Sequence, residues 1–307
     1  MLDDVTRLRL PGGDPGIEIA VLDFGGSGPP VLLNHANGFC AALWAPVAES
    51  LCPHFRVFAM DARGHGDSSK PAGDEAYAWA ALGRDAGAVA AQLAADHGPL
   101  ALGLGHSFGG TCLLLAASEN PTGFGRVMLL DPPFPPAGEL RAQWHGRGNP
   151  LAEGARRRRH AWSDRAAARE RWAGRPLFAS WSPRALDLYA AEGLTEAPDG
   201  GVTLKCRPET EATLFERAID VDLADRPQTL SLPVRFLWAR RGDFQRAHFE
   251  TLAASMPNAD VRDADAGHLM VMEQPELVAA EALRFSLRPE VRAATGPSRL
   301  RASPARA

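Results

Sequence analysis

The sequence predicts an α/β protein, a mostly parallel central sheet with helices on both faces, interrupted by one helical insertion. Three observations predict it. Short apolar runs recur along the chain with helical patterns between them, as buried parallel strands require. Gly105-His106-Ser107-Phe108-Gly109-Gly110 sits between such a run and a small-residue helical stretch, the strand–turn–helix setting of Gly-x-Ser-x-Gly. Between residues 132 and 227 the rhythm breaks, and the text becomes Pro-rich, then rich in arginine and tryptophan.

Taken in order, Ile17–Phe24 predicts an antiparallel edge hairpin, broken by Gly25-Gly26-Ser27-Gly28-Pro29-Pro30. Val31–Ala36, Phe55–Asp61, Leu100–His106, Val127–Asp131 and Val234–Ala239 predict central strands, with Asp260–Asp263 a weaker member. Thr111–Ser118 predicts the helix after the serine turn. Inside the insertion no stretch reads as a central strand. Ser182-Pro183 and Gly193 mark one helix start and stop there, and Ser163 with Gly174-Arg175-Pro176 marks another. A helical insertion between two strands is most simply a lid. The chain therefore divides into core (1–131), lid (132–227), core (228–287) and an Arg-, Ala-, Pro- and Ser-rich tail (288–307) expected to be disordered.

Composition narrows the function classes. The 307 residues, 45% hydrophobic, bury a large core in one domain with an insertion. A net charge of −4 and a pI near 6.1 give no basic field for nucleic acid. Lys70 and Lys205 are the only lysines, so the many arginines reflect compositional bias. Cys40, Cys52, Cys112 and Cys206 are scattered without paired spacing and read as reduced thiols. Residues 1–25 carry no long apolar stretch, and no run approaches the roughly 20 apolar residues of a membrane span. The expectation is a soluble, cytoplasmic protein with no membrane or nucleic-acid partner. No His, Cys and carboxylate spacing suits a metal, and no cofactor is implied. Nothing marks an oligomeric state.

The chemistry centres on the Ser107 hydroxyl. Gly105 and Gly109 let the chain fold sharply around it, and the following helix aims its free N–H groups at the reacting oxygen. A serine hydroxyl is a poor nucleophile at neutral pH and needs a base that is itself oriented by a carboxylate. His268 fits the base: it follows the last strand in Asp265-Ala266-Gly267-His268-Leu269, where Gly267 lets the loop turn inward.

His35-Ala36-Asn37-Gly38, Asp61-Ala62-Arg63-Gly64-His65-Gly66-Asp67-Ser68, the turn at Ser107 and Gly267-His268 together resemble the α/β-hydrolase superfamily over nearly the whole chain. Asn34–Phe39, the arginine run and Leu204-Lys205-Cys206-Arg207-Pro208 further resemble a lid-bearing group of serine hydrolases within it. The resemblance places the acid after the seventh strand, where Gly242 holds the usual position and Asp243 comes one residue late. A second candidate is Asp131, 24 residues beyond Ser107, where haloalkane-dehalogenase-like relatives place theirs. Asp131 is preferred, with its exit stiffened by Pro132-Pro133. The same resemblance assigns the oxyanion donors to the backbone N–H groups of Phe108 and Asn37. Ala36 stands where a glycine is usual. The Asn37 side chain either adds a donor or only satisfies the turn.

Other residues take structural readings. His106 packs and hydrogen-bonds below the turn, Arg63, Asp67 and His65 lock the loop after the fourth strand, and Cys112 is core. Substrate contacts are expected from His35 and from the lid. There Trp162, Trp172, Phe178, Trp181, Tyr189 and Phe215 offer an apolar ceiling. Arg157, in the run Arg156–Arg159, is a candidate for binding an anion, although a run of four must be mostly solvated. The expected function is a cofactor-free serine hydrolase acting on a small carboxylic ester with an apolar acyl group, or on a thioester or lactone. A C–C bond hydrolase with the same triad and a non-catalytic ligand receptor are the alternatives. Dehalogenase and epoxide hydrolase activities use a carboxylate where this chain has Ser107.

Overall fold

The structure, a computed structural model, describes residues 2–134, 148–198, 200–221 and 230–287. The main sheet is formed by β1 (Thr6–Pro11), β2 (Glu18–Asp23), β3 (Pro30–Asn34), β4 (Arg56–Met60), β5 (Leu102–His106), β6 (Val127–Leu130), β10 (Val234–Ala239) and β11 (Ala259–Ala264). Their spatial order is β1-β2-β4-β3-β5-β6-β10-β11. β1 and β2 are antiparallel, β2 and β4 likewise, and every pair from β4 onward is parallel. This is the α/β-hydrolase fold.

The central strands are apolar on both faces because both are covered. Val31 and Leu33 of β3 enter one core with α1 (Ala45–Leu51) and the C-terminal helix α9 (Pro275–Ser286). Leu32 enters the opposite core with α2 (Trp79–His97), α3 (Phe108–Glu119) and α8 (Arg246–Ala254). β3 and β5 pair Asn34 with Gly105, so the loops that follow these two strands emerge side by side.

Edge strand β1 is absent from the sequence prediction. Its alternation of Thr6, Leu8 and Leu10 with Arg7 and Arg9 carries the signal, and the turn of the hairpin lies between Pro11 and Glu18 rather than at Gly25–Pro30. Between β6 and β10 lie the helices α4 (Pro150–Arg157), α5 (Arg165–Ala173), α6 (Pro183–Glu192) and α7 (Pro208–Arg217). They are joined by a small antiparallel sheet, β7 (Ala161–Trp162), β8 (Leu194–Glu196) and β9 (Val202–Leu204), in the order β7-β9-β8. Strands of two or three residues are too short to show alternation, which is why the insertion reads as purely helical in sequence. Ser182 caps α6 as expected, accepting from the Ala185 N–H at 3.2 Å. For α5 the cap is Asp164, one residue beyond Ser163, and it accepts from the Ala167 N–H at 2.7 Å.

The proposed tail, 288–307, and parts of both insertion boundaries, 135–147 and 222–229, lie outside the described residues. Among the described residues no helix is long and apolar enough to cross a membrane.

Candidate active site

Ser107 sits between β5 and α3 at φ 51° and ψ −128°, a conformation that an L-residue rarely adopts. Glycines on both sides make the turn feasible. A Cβ on Gly105 would lie 2.5 Å from Gly110 Cα, and one on Gly109 would lie 2.4 Å from the His35 carbonyl oxygen. The Ser107 N–H donates to the Leu130 carbonyl at 2.8 Å, which ties the turn to the end of β6.

Asp131 follows β6 directly, at φ 45°, in the left-handed region that aspartate tolerates better than most residues. Its side chain is fully buried. One carboxylate oxygen accepts the Ala239 N–H at 3.2 Å, and the other stands 2.7 Å from His268 Nδ1. His268 Nε2 is 3.0 Å from Ser107 Oγ. Serine, imidazole and carboxylate therefore form one hydrogen-bonded chain across three loops. The imidazole, a quarter exposed, is its most accessible member.

Asp243 is exposed and does not contact His268; the structure brings Asp131 to the imidazole instead. Gly242 explains part of the difference. A Cβ there would lie 2.8 Å from the Asp131 carboxylate and 2.9 Å from Ala239 Cβ, so the usual acid position is closed to any side chain.

The histidine loop is braced twice. His106 Nε2 is 2.7 Å from the His268 carbonyl oxygen, so the neutral ring donates there, and the Gly267 N–H donates to the Glu273 carboxylate at 2.8 Å. Burial drives the His106 pKa down to about 3. This is the structural role expected of His106.

Phe108 is the first residue of α3, where N–H groups lack intrahelical acceptors. Across from it runs the loop after β3. There Gly38 donates its N–H to His65 Nε2 at 3.0 Å and Phe39 donates to the Ala36 carbonyl at 3.2 Å. Among the described residues neither the Asn37 N–H nor the Phe108 N–H has an acceptor. The Asn37 side chain is occupied: its amide donates to the Glu211 carbonyl at 2.9 Å.

His35 is not placed to bind substrate. It is buried, its Nδ1–H donates to the Ala36 carbonyl at 2.8 Å, and its Nε2 accepts the Ala62 N–H at 3.0 Å. Both nitrogens are spent on joining two loops. His65 is similarly used, and Arg63 bonds Asp85 and Asp14, so the loop after β4 is locked as expected. Trp162 and Trp181 are buried rather than presented to substrate. Trp162 meets Trp172 and Arg159, while Trp181 meets Phe178, Tyr189 and Phe39.

Arg157 is solvated and pairs with Glu153 one helical turn away at 3.6 Å, so its candidacy for substrate is withdrawn. Arg156 is paired with Glu216 and Arg159 with the Ala161 carbonyl. Arg158 alone of the four turns inward, where α4 ends, and it pairs with Glu211 at 2.5 Å. Tyr189, expected in an apolar ceiling over the substrate, is instead buried with its hydroxyl on the Gly38 carbonyl. Glu211 is a site-adjacent residue that sequence reasoning missed; the Leu204–Pro208 stretch just before it was the nearest signal.

Burial lowers the pKa of His35 and His65 as it does that of His106. All three stay neutral in the fold but gain protons near the ordinary value of 6.5 once unfolded. The unfolded state thus binds more protons as pH falls from 6.5 toward 3, and stability drops over that window. The urea midpoint is expected to be lower at about pH 5 than at about pH 7.5, and His106→Gln should flatten the slope. A midpoint unchanged or higher at the acid pH would contradict this.

Residues 31–281 match the alpha/beta hydrolase family, and the chain belongs to it. Among curated relatives, it is 36% identical over 118 residues to N-formylmaleamate deformylase of Pseudomonas putida, covering 38% of this chain and 42% of that protein. It is 32% identical over 155 residues to fluoroacetate dehalogenase of a Burkholderia species, covering 47% of this chain and 49% of that enzyme. The matches thus span less than half the length of these relatives. Among solved structures, E-2-(acetamidomethylene)succinate hydrolase superposes with a TM-score of 0.75 at 22% identity, over 92% of this chain and 98% of that one. That likeness shows the shared fold.

Proposed function

We propose that the protein is a cofactor-free serine hydrolase that cleaves a carboxylic ester, with thioesters and lactones as variants of the same carbonyl chemistry. The observation that carries this reading is the chain Ser107 Oγ, His268 Nε2, His268 Nδ1, Asp131 Oδ2, with links of 3.0 and 2.7 Å. In this reading Asp131 holds the Nδ1–H tautomer, which leaves Nε2 free to take the Ser107 proton as Oγ attacks the carbonyl carbon. The negative oxygen of the tetrahedral intermediate is received by the N–H groups of Asn37 and Phe108. His268 returns its proton to the leaving alkoxide, and an acyl group stays on Ser107. Water, deprotonated by the same Nε2, then releases the acid.

Ser107 argues against the reaction that the dehalogenase relative's name describes. An alkyl group displaced onto a serine oxygen would be an ether, which has no carbonyl for water to attack. A carboxylate nucleophile would leave an ester instead. The residues between β6 and β10 act as a lid in this reading. Phe244 beside His268, with ring centroids 5.6 Å apart, supports an apolar group on the substrate.

The test is a panel of p-nitrophenyl esters of increasing chain length, with an acyl-CoA thioester, a lactone, an N-formyl amide and a 1,5-diketone alongside. Highest kcat/KM on an ester is expected. Turnover confined to the diketone would select the C–C hydrolase, turnover confined to the formyl amide would select amide cleavage, and binding without turnover would select the receptor.

A further inference from the structure

The loop Asn34–Phe39, Arg158 of the arginine run, Tyr189 of α6 and Glu211 of α7 converge on one peptide. The loop Asn37-Gly38 is held from the core side by His65, which accepts the Gly38 N–H at 3.0 Å, and by Asp61, which accepts the Ala41 N–H at 2.7 Å. It is held from the insertion side as firmly. The Tyr189 hydroxyl, on α6, donates to the Gly38 carbonyl at 2.8 Å, and the Glu211 carbonyl, on α7, accepts from the Asn37 amide at 2.9 Å. Arg158 braces both helices, with Nη2 3.2 Å from the Tyr189 hydroxyl oxygen and Nη1 2.5 Å from the Glu211 carboxylate.

This contact is buried and leaves no slack. Tyr189 is 1% exposed and Glu211 8%. Gly38 has φ 81°, and a Cβ there would meet the Glu211 carboxylate at 2.7 Å and Arg158 Nη1 at 3.3 Å. Burial pushes the Tyr189 phenol up, so it remains a donor across the working pH range. The cation that donates to its oxygen makes it a stronger donor to Gly38. Without the insertion, the Gly38 carbonyl and the Asn37 amide would both lose their partners, and the loop would be held only by His65, Asp61 and the bonds to the Ala36 carbonyl. The Asn37 N–H would then be fixed less tightly against Ser107.

We infer that the insertion assembles the oxyanion hole: Tyr189 and Glu211, braced by Arg158, are positioning residues that fix the Asn37–Gly38 backbone from above. The inference rests on the serine hydrolase reading. Neither residue is assigned a contact with substrate. The aromatic ring of Tyr189, packed on Phe39, Trp172 and Phe178, serves the fold, while its hydroxyl serves the loop.

Two variants test this. Tyr189→Phe keeps the ring and removes the hydroxyl; Asn37→Ala keeps the backbone donor and removes the Glu211 contact together with the 3.2 Å approach of Asn37 Oδ1 to His65 Nε2. Outright loss of an oxyanion donor costs about 10²–10³-fold in kcat, so a loosened donor is expected to cost about tenfold in each variant, with KM changed less than about twofold. The rate of Ser107 phosphonylation by a fluorophosphonate should fall in parallel, while urea midpoints identify any variant that has not folded. If Tyr189→Phe fails to fold, Asn37→Ala carries the test alone, since it removes no side chain of the insertion. Wild-type kcat and phosphonylation rate in the folded variants, or a change confined to KM, would overturn the inference. A wild-type protein that is not phosphonylated at Ser107 would instead overturn the hydrolase reading beneath it.

Discussion

Replacing Asp131 with asparagine is expected to lower kcat by about 10³–10⁴-fold while the protein folds normally. The size of the effect follows from the hydrogen bonds. Oδ1 of Asp131 accepts the Ala239 N–H, so an asparagine keeps its carbonyl oxygen there and turns its amide nitrogen toward His268 Nδ1. That nitrogen must then accept, which moves the ring proton to Nε2. An imidazole protonated at Nε2 cannot take the proton of Ser107. The backbone does not oppose the change, because asparagine tolerates the φ of 45° about as well as aspartate. Asp243→Asn, at an exposed position away from the imidazole, should leave kcat within about twofold of wild type. Full turnover in Asp131→Asn, or a collapse in Asp243→Asn, would move the acid to the other loop.

The contrast between these two aspartates shows what a sequence carries and what it does not. Ser107 is legible because its neighbours are forced: only glycine fits at 105 and 109, where any Cβ would strike backbone. His268 is legible because one glycine precedes it in the loop after the last strand. The acid is a three-dimensional question, since the loops after β6 and β10 both reach toward the imidazole. The Asp131 carboxylate reaches His268 and leaves no room for a Cβ at Gly242, which no linear spacing expresses. The parallel strands were legible from their apolar runs, whereas β1 carried a weaker alternation beside a glycine-rich turn. The four arginines look alike in sequence. Arg158 differs only because α4 ends there and its backbone extends, at φ −69° and ψ 139°. The bond of Tyr189 to Gly38 and that of Glu211 to Asn37 were hidden for a different reason: the partners lie 151 and 174 residues apart.

Treatment with a fluorophosphonate probe tests the central claim most directly. The Ser107 hydroxyl is 3.0 Å from a base held by a buried carboxylate, and unpaired N–H groups lie in the loop and helix on either side. Such a hydroxyl is activated toward electrophilic phosphorus as toward a carbonyl carbon. Intact-mass and peptide mass spectrometry should find one covalent phosphonyl adduct per chain, on Ser107. The adduct should vanish in Ser107→Ala and form far more slowly in His268→Gln, and Ser107→Ala should retain no more than about 10⁻³ of wild-type turnover. A folded wild-type protein that forms no adduct, or forms it equally well in Ser107→Ala, would contradict the account.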